Sequence, residues 1–358
     1  KKGTLKMDNK NVFVAIALSM AVLLFWGAFF ETPRQVKENQ TFDTIQTNQN
    51  KVQSDITPSV NQETIIKKIS RKDALTEVDR VIIENEKVKG SISLKGAIFD
   101  DLSFKNYKKD LKSEESVVLL NPQEIEDGYY IESGWASVGN EVEVPGVDSL
   151  WQVKGNRVLS EKNNIVLEWN NGKGLIFKKT IKLDDKYLFK IKQEVQNNTS
   201  TKINLYPYAQ ITRNKKPDDV MGFYILHEGF IGVFDGELKE DDYDDIEEKK
   251  AVRNSDNGWL GITDKYWVTA IVPPKDKNFK STFLYKDSYR ANYILNSPVT
   301  INPNSTSDNE VRLFVAAKEV ETVDGYAESE NIEKFDLTID WGWFYFFTKP
   351  LFFVIDYL

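Results

Sequence analysis

The sequence predicts a mainly β protein built as a β-sandwich, and three observations carry that expectation. Phe177, Ile181 and Leu183 alternate with Lys178, Thr180 and Lys182, and Phe189, Ile191 and Val195 alternate with Lys190, Lys192 and Glu194. A period of two marks strands with one wet face. Turn-forming groups separate the runs: Asn170-Asn171-Gly172-Lys173-Gly174, Asp184-Asp185 and Asn197-Asn198-Thr199. The first reads as a hairpin loop, because Asn and Gly accept positive φ. Further strands are expected at 165–169, 203–210, Gly229–Phe234, 266–272 and 311–316. So many antiparallel strands over about 250 residues favour a sandwich over a β/α fold.

In chain order, residues 12–30 (VFVAIALSMAVLLFWGAFF) form nineteen residues without a charge, long enough for a transmembrane helix. The alternative is a cleaved signal peptide, but the run exceeds the usual apolar region and ends in Trp26, Phe29 and Phe30 rather than in small residues. An uncleaved anchor is therefore expected, with residues 1–11 cytoplasmic. Lys1, Lys2, Lys6 and Lys10 favour that orientation, although with Met7 as initiator only Lys10 and the amino terminus remain, against Arg34 and Lys37 beyond the span. Residues 31–76 are rich in Gln, Asn, Thr, Ser, Lys and Glu, with Phe42 the one aromatic and no Gly. Such a stretch buries too little apolar surface to offset its ordering entropy, and a flexible tether is expected. The β pattern then occupies a domain at 77–325.

Over 328–343, Ile332, Phe335, Ile339 and Trp343 recur at helical spacing with Glu330, Glu333, Lys334 and Asp340 between them. An amphipathic helix is expected there, lying in a bilayer interface or packing on the β domain. The last eighteen residues, WGWFYFFTKPLFFVIDYL, are apolar and aromatic, so a longer membrane protein is expected, with 326–358 leading into its transmembrane core. Lys349, Pro350 and Asp356 interrupt that run. A charge at mid-bilayer costs about 2.5–3.5 kcal/mol. An interfacial helix instead lets Lys349 and Asp356 reach water while the aromatics sit among headgroups. Trp341, Trp343, Phe344, Lys349 and Pro350 are the expected membrane-interface residues.

Composition narrows the function. The formal net charge of −8 argues against a nucleic-acid binder. No cysteine and one histidine, His227, leave almost no soft metal ligands, so neither a metal nor a cofactor is expected. His227 has no nucleophile beside it in sequence, and no catalytic residue is assigned. The acidic run 237–248 (ELKEDDYDDIEE) lacks the alternation and central Gly of an EF-hand and reads as a solvated loop. Trp135, Trp151, Trp169, Trp259 and Trp267 either fill the core of a sandwich or line a ligand cleft.

Four blocks, in order, carry a resemblance to a known family. Asp340-Trp341-Gly342-Trp343-Phe344 with Thr348-Lys349-Pro350-Leu351-Phe352 resembles the junction between the periplasmic domain and the membrane core of the YidC insertases, of the Oxa type. The segment MDNKNVFVAIALSMAVLLFW resembles their first span, and 205–214 (LYPYAQITRN) and 258–267 (GWLGITDKYW) resemble stretches of their periplasmic domain. The resemblance implies a galactose-mutarotase-like β-supersandwich in the periplasm, held to the bacterial inner membrane. It also implies a non-enzymatic role, inserting and folding nascent membrane proteins alone or with the Sec translocon, with the lipid bilayer as a further partner. The family's buried Arg belongs to a five-helix core, and no Arg follows Arg312 here, so no active residue carries over. The competing expectation is a membrane-tethered β-sandwich that binds carbohydrate or peptide. It rests on fold analogy, and a lone His227 cannot supply the histidine pair of a mutarotase.

Overall fold

The computed structural model describes residues 69–138, 141–218, 226–342 and 344–357, together with Met20 and Ile66. The anchor expected at 12–30 lies outside them apart from Met20, as do 1–11 and most of the tether at 31–76. The end of that tether is a correction. Helix α1 (Arg71–Ala74) is capped by Ser70 Oγ, which accepts from the Asp73 N–H at 3.2 Å. Arg71 then bonds Asn121 Oδ1 at 2.9 Å and pairs with Asp101, so charged partners on the sandwich order residues whose composition alone suggests disorder.

Two sheets stack face to face. The larger has eleven strands among the described residues. Its path runs Ala251–Ser255, Phe279–Tyr285, Tyr289–Leu295, Ile203–Arg213, Tyr129–Ala136, Ile98–Lys108, Val88–Ser93, Arg80–Glu84 and Val158–Leu159, with Ser116–Leu120 and Val299–Ile301 paired beside it. The smaller has nine: Glu237–Asp242, Gly229–Phe234, Gly258–Thr263, Trp267–Val272, Ser305–Ala317, Leu188–Asn197, Leu175–Leu183, Ile165–Asn170 and Gln152–Val153. Neighbours are antiparallel except for the short Val158–Leu159 pairing. The mainly β sandwich expected from the sequence is thus the fold found.

The core lies between the sheets. Phe189 of the smaller sheet meets Phe99 of the larger with ring centroids 5.4 Å apart, and Phe230 meets Phe283 at 5.0 Å. Along Leu175–Leu183 the burial alternates strictly, with Phe177 and Ile181 inside, as the period of two requires. The hairpin loop before it forms as expected: Gly172 and Gly174 adopt φ of 70° and 94°, and Asn171 Oδ1 accepts from the N–H groups of Lys173 and Leu175.

Lys179 points inward from that same strand. Its Nζ donates to the Ser133 carbonyl at 2.7 Å and sits 5.0 Å from the Trp151 ring centroid. Burial lowers its pKa from 10.5 to about 8, with the charge of Glu132 opposing. The folded value lies below the unfolded one, so the buried ammonium costs stability below about pH 8, and the cost fades as pH rises towards 10.5. Lys179→Met is expected to stabilise the domain by about 1–3 kcal/mol at neutral pH. The gain should shrink towards pH 10, read as urea midpoints at the two pH values. A loss of stability instead would show that the Ser133 and Trp151 contacts outweigh desolvation.

The acidic run 237–248 is not a loop. It forms the outermost strand Glu237–Asp242 and helix α2 (Tyr243–Glu248), because main-chain pairing to Gly229–Phe234 and the burial of Tyr243 and Ile246 fix it. The amphipathic helix expected over 328–343 is also corrected. Helix α3 (Val320–Ser329) crosses the boundary placed at residue 325 and ends at Ser329, and a 3-10 turn follows at Phe335–Thr338. Asn331 and Lys334 adopt φ of 49° and 53°, which breaks any continuous helix. Ile332 and Phe335 are buried in the sandwich core, so their helical spacing reflects packing on the domain rather than a lipid-facing stripe. The chain's terminal helix is α4, Tyr345–Tyr357.

Candidate functional site

Of the expected interface residues, Trp341, Phe344, Lys349 and Pro350 lie where the chain leaves the sandwich. Asp340 accepts from the His227 N–H at 3.1 Å and from the Gly342 N–H at 2.7 Å, which fixes the exit. The His227 ring is occupied too, with Nε2 2.9 Å from the Phe230 carbonyl and Nδ1 3.3 Å from Asp242, so the ring is held by the first strands of the smaller sheet while the main-chain N–H holds Asp340. Trp341 packs edge-on to Phe352 at 5.6 Å, and Thr348 Oγ1 donates to the Trp341 carbonyl at 2.9 Å. These contacts hold the first turns of α4 against the segment that leaves the sandwich.

Lys349 differs from the expectation most clearly. It does not reach outward to water. Its Nζ lies 3.0 Å from Asp324 Oδ1 and 3.1 Å from Asp336 Oδ2, and 5.9 Å from the Trp341 ring centroid. Burial opposes its charge, and the two carboxylates more than reverse that effect, so its pKa is raised. Phe344 and Pro350 are exposed, and Trp343 lies outside the described residues.

At about 100° per residue, Phe347, Leu351 and Val354 form one face of α4, and Lys349 and Asp356 lie on the opposite side among exposed Phe346, Phe352 and Phe353. The apolar face is bare: Phe347 is 62% exposed, Leu351 43% and Val354 56%, flanked by exposed Phe344 and Ile355. Pro350 lies inside the helix and has no N–H to offer the Phe346 carbonyl. At thirteen residues, α4 is about 20 Å long against about 30 Å of hydrocarbon. No helix among the described residues is long and apolar enough to cross a membrane.

A second candidate is a cleft of about 490 Å³ between strands of the two sheets, lined by Tyr129, Arg213 and Trp267 among others. Arg213, at its floor, lies 4.6 Å from the Tyr129 ring centroid and 2.6 Å from Asp264 Oδ1. Burial alone would lower the pKa of Arg213; Tyr243, Asp264 and Tyr129 outweigh it and raise it. Lys215 pairs with Asp127 and Asp218, and Lys216 with Asp244, so much of the cleft's charge is matched internally. Trp267 lines the cleft, stacked on Phe104 at 4.8 Å. Trp135, Trp151 and Trp259 are buried, and Trp169 and Trp267 are partly buried and packed against the core, with Trp267 also lining the cleft. Sequence reasoning missed Asp324 and Asp336 as site residues, since neither stands near Lys349 in the chain.

Fold and site together define a class: an antiparallel β-sandwich whose exit helix is clamped to it and turns an apolar face away. Residues 80–354 match the family model described as the YidC periplasmic domain, and the chain belongs to that family. It is 47% identical over 353 residues to a protein named membrane protein insertase YidC from Pelagibacter ubique, covering 98% of this chain and 62% of that protein. Against the protein of the same name from Methylorubrum extorquens it is 38% identical over 387 residues, with the same two coverages of 98% and 62%. The chain thus spans about three-fifths of the length of the curated relatives it matches. Among solved structures, a galactose mutarotase related enzyme from Lactobacillus acidophilus aligns at 11% identity and a TM-score of 0.46, covering 67% of this chain and 98% of that one. That likeness is too slight to carry an argument.

Proposed function

We propose that this chain is the anchor and periplasmic domain of an insertase that inserts and folds inner-membrane proteins, alone or with the Sec translocon. The sandwich stands in the periplasm, and α4 seats it on the inner membrane. The bare face of Phe347, Leu351 and Val354 carries this reading, since an exposed aromatic and aliphatic ridge on a short helix suits the boundary between headgroups and acyl chains. The 47% identity to a protein named as an insertase supports the wider role. The partners are the lipid bilayer, nascent membrane proteins and Sec components, and no covalent chemistry is involved. The insertion step belongs to the part of the relatives that this chain does not cover.

Nitroxides at Phe347→Cys and Val354→Cys, with the full chain in phospholipid vesicles, should collide readily with oxygen and rarely with a water-soluble nickel chelate. The reverse preference would remove α4 from the membrane. For the wider role, the full-length gene should restore membrane-protein insertion in cells depleted of their own insertase, and failure to do so would count against it.

A second reading has one observation in its favour. The cleft beside Arg213 and Trp267 has a volume within the range of small-ligand sites, which suits a carbohydrate- or peptide-binding module. Saturable binding of a sugar series or of extended peptides, lost in Trp267→Ala, would favour it.

A further inference from the structure

We propose that Lys349 is an electrostatic latch that fixes α4 to the sandwich and so sets the attitude at which the domain stands on a lipid surface. The inference rests on the membrane-facing reading of α4 given above. Lys349 is the one basic residue of α4, and an interfacial lysine without other partners extends its ammonium to the aqueous side. Here the side chain is 22% exposed and turned into the domain, between Asp324 and Asp336.

The two carboxylates come from different elements. Asp324 belongs to α3, held by buried Val323 and Tyr326, and Asp336 to the 3-10 turn, held by buried Phe335. Both jaws of the latch are therefore parts of the folded core. Tyr326 adds to this by donating its hydroxyl to Asp184 and packing at 4.4 Å on Phe314. Partly buried pairs of this kind are screened less by salt than exposed ones.

The latch and the apolar face lie on opposite sides of the helix. A helix clamped on one side and seated in lipid on the other keeps no freedom to roll about its axis. Pro350 follows Lys349 directly and interrupts the main-chain ladder there, so side-chain contacts must hold this turn in place. Trp341, which touches Phe352 and lies over Lys349, closes the same junction. The domain would then meet its partners at a set angle and height rather than swinging on a free hinge.

The chain contains no cysteine, so introduced ones label uniquely. Nitroxides at Glu328→Cys on α3 and Asp356→Cys on α4 of the full chain, in vesicles of phosphatidylethanolamine and phosphatidylglycerol, report the distance across the latch. A single narrow distance distribution is expected. Lys349→Met should lose the narrow peak, and so should the pair Asp324→Asn with Asp336→Asn, which alters only the sandwich side. Lys349→Arg should keep it. An unchanged distribution in Lys349→Met and in the aspartate pair would overturn the latch. A third label, at Val354→Cys, reads seating separately. If it stays in lipid while the distance broadens, the latch holds and acts on attitude alone. If it is in water in the native chain, the membrane reading fails, and the distance data still decide whether Lys349 clamps the helix.

Discussion

Phe335→Ala should cost the domain about 3–5 kcal/mol, among the larger losses a single core truncation gives. The ring is fully buried, with its centroid 5.3 Å from Trp259 and 4.5 Å from Phe314. Trp259 also donates its indole N–H to the Glu333 carbonyl at 3.1 Å, so the two aromatics together fasten the segment after α3 to the smaller sheet. The measurement is the urea midpoint followed by tryptophan fluorescence, which should fall with an unchanged slope. Because Phe335 positions Asp336, the variant should also weaken the hold on Lys349. A loss below about 1 kcal/mol would mean that this turn lies outside the cooperative unit.

Asp264→Ala should be comparably damaging. Its partner Arg213 has a side chain only 14% exposed, and removing the carboxylate strands a guanidinium that keeps the Tyr243 hydroxyl at 3.2 Å as a neutral partner. Breaking a buried pair on one side costs about 3–5 kcal/mol, whereas replacing both members by apolar groups of similar volume is often neutral. Arg213→Met combined with Asp264→Leu should therefore recover most of the stability lost in Asp264→Ala. If the double variant is as unstable as the single one, the cost comes from packing around the cleft and not from an uncompensated charge.

The strands legible in the sequence are those with a wet outer face. Leu175–Leu183 and Leu188–Asn197 alternate cleanly because Lys178, Lys182, Lys190 and Lys192 look to solvent. Tyr129–Ala136 and Tyr289–Leu295 are buried at every position, including Glu132 and Arg290, so no alternation remains to be read. The acidic strand Glu237–Asp242 was hidden for another reason: composition argued for a loop, while the pairing that makes it a strand is main-chain. At 328–343 a true apolar period misled, since positive φ at Lys334 is a tertiary outcome that residue type does not announce. The site divides in the same way. Phe344 and Pro350 are exposed, but exposure alone leaves their expected membrane role a proposal. The setting of Lys349 depends on aspartates 25 and 13 residues earlier, brought to it only by the docking of α3 and the 3-10 turn.

The rims of the two sheets carry a consequence for the role proposed above. Among the described residues, one rim of each sheet ends in a two-residue strand, Gln152–Val153 or Val158–Leu159. Of the opposite rims, Glu237–Asp242 carries four acids and a lysine, and Ala251–Ser255 is paired on one side only and holds Arg253. Short or charged rims are poor templates for strand addition. Apart from the uncharged Ser116–Leu120, which pairs only with Ile98–Lys108, an extended nascent segment would find few stretches of free main chain here on which to nucleate a further strand. On the proposed role, the sandwich would stand beside unfolded membrane proteins with few rims open to strand addition, and a grip on them would come mainly through side chains.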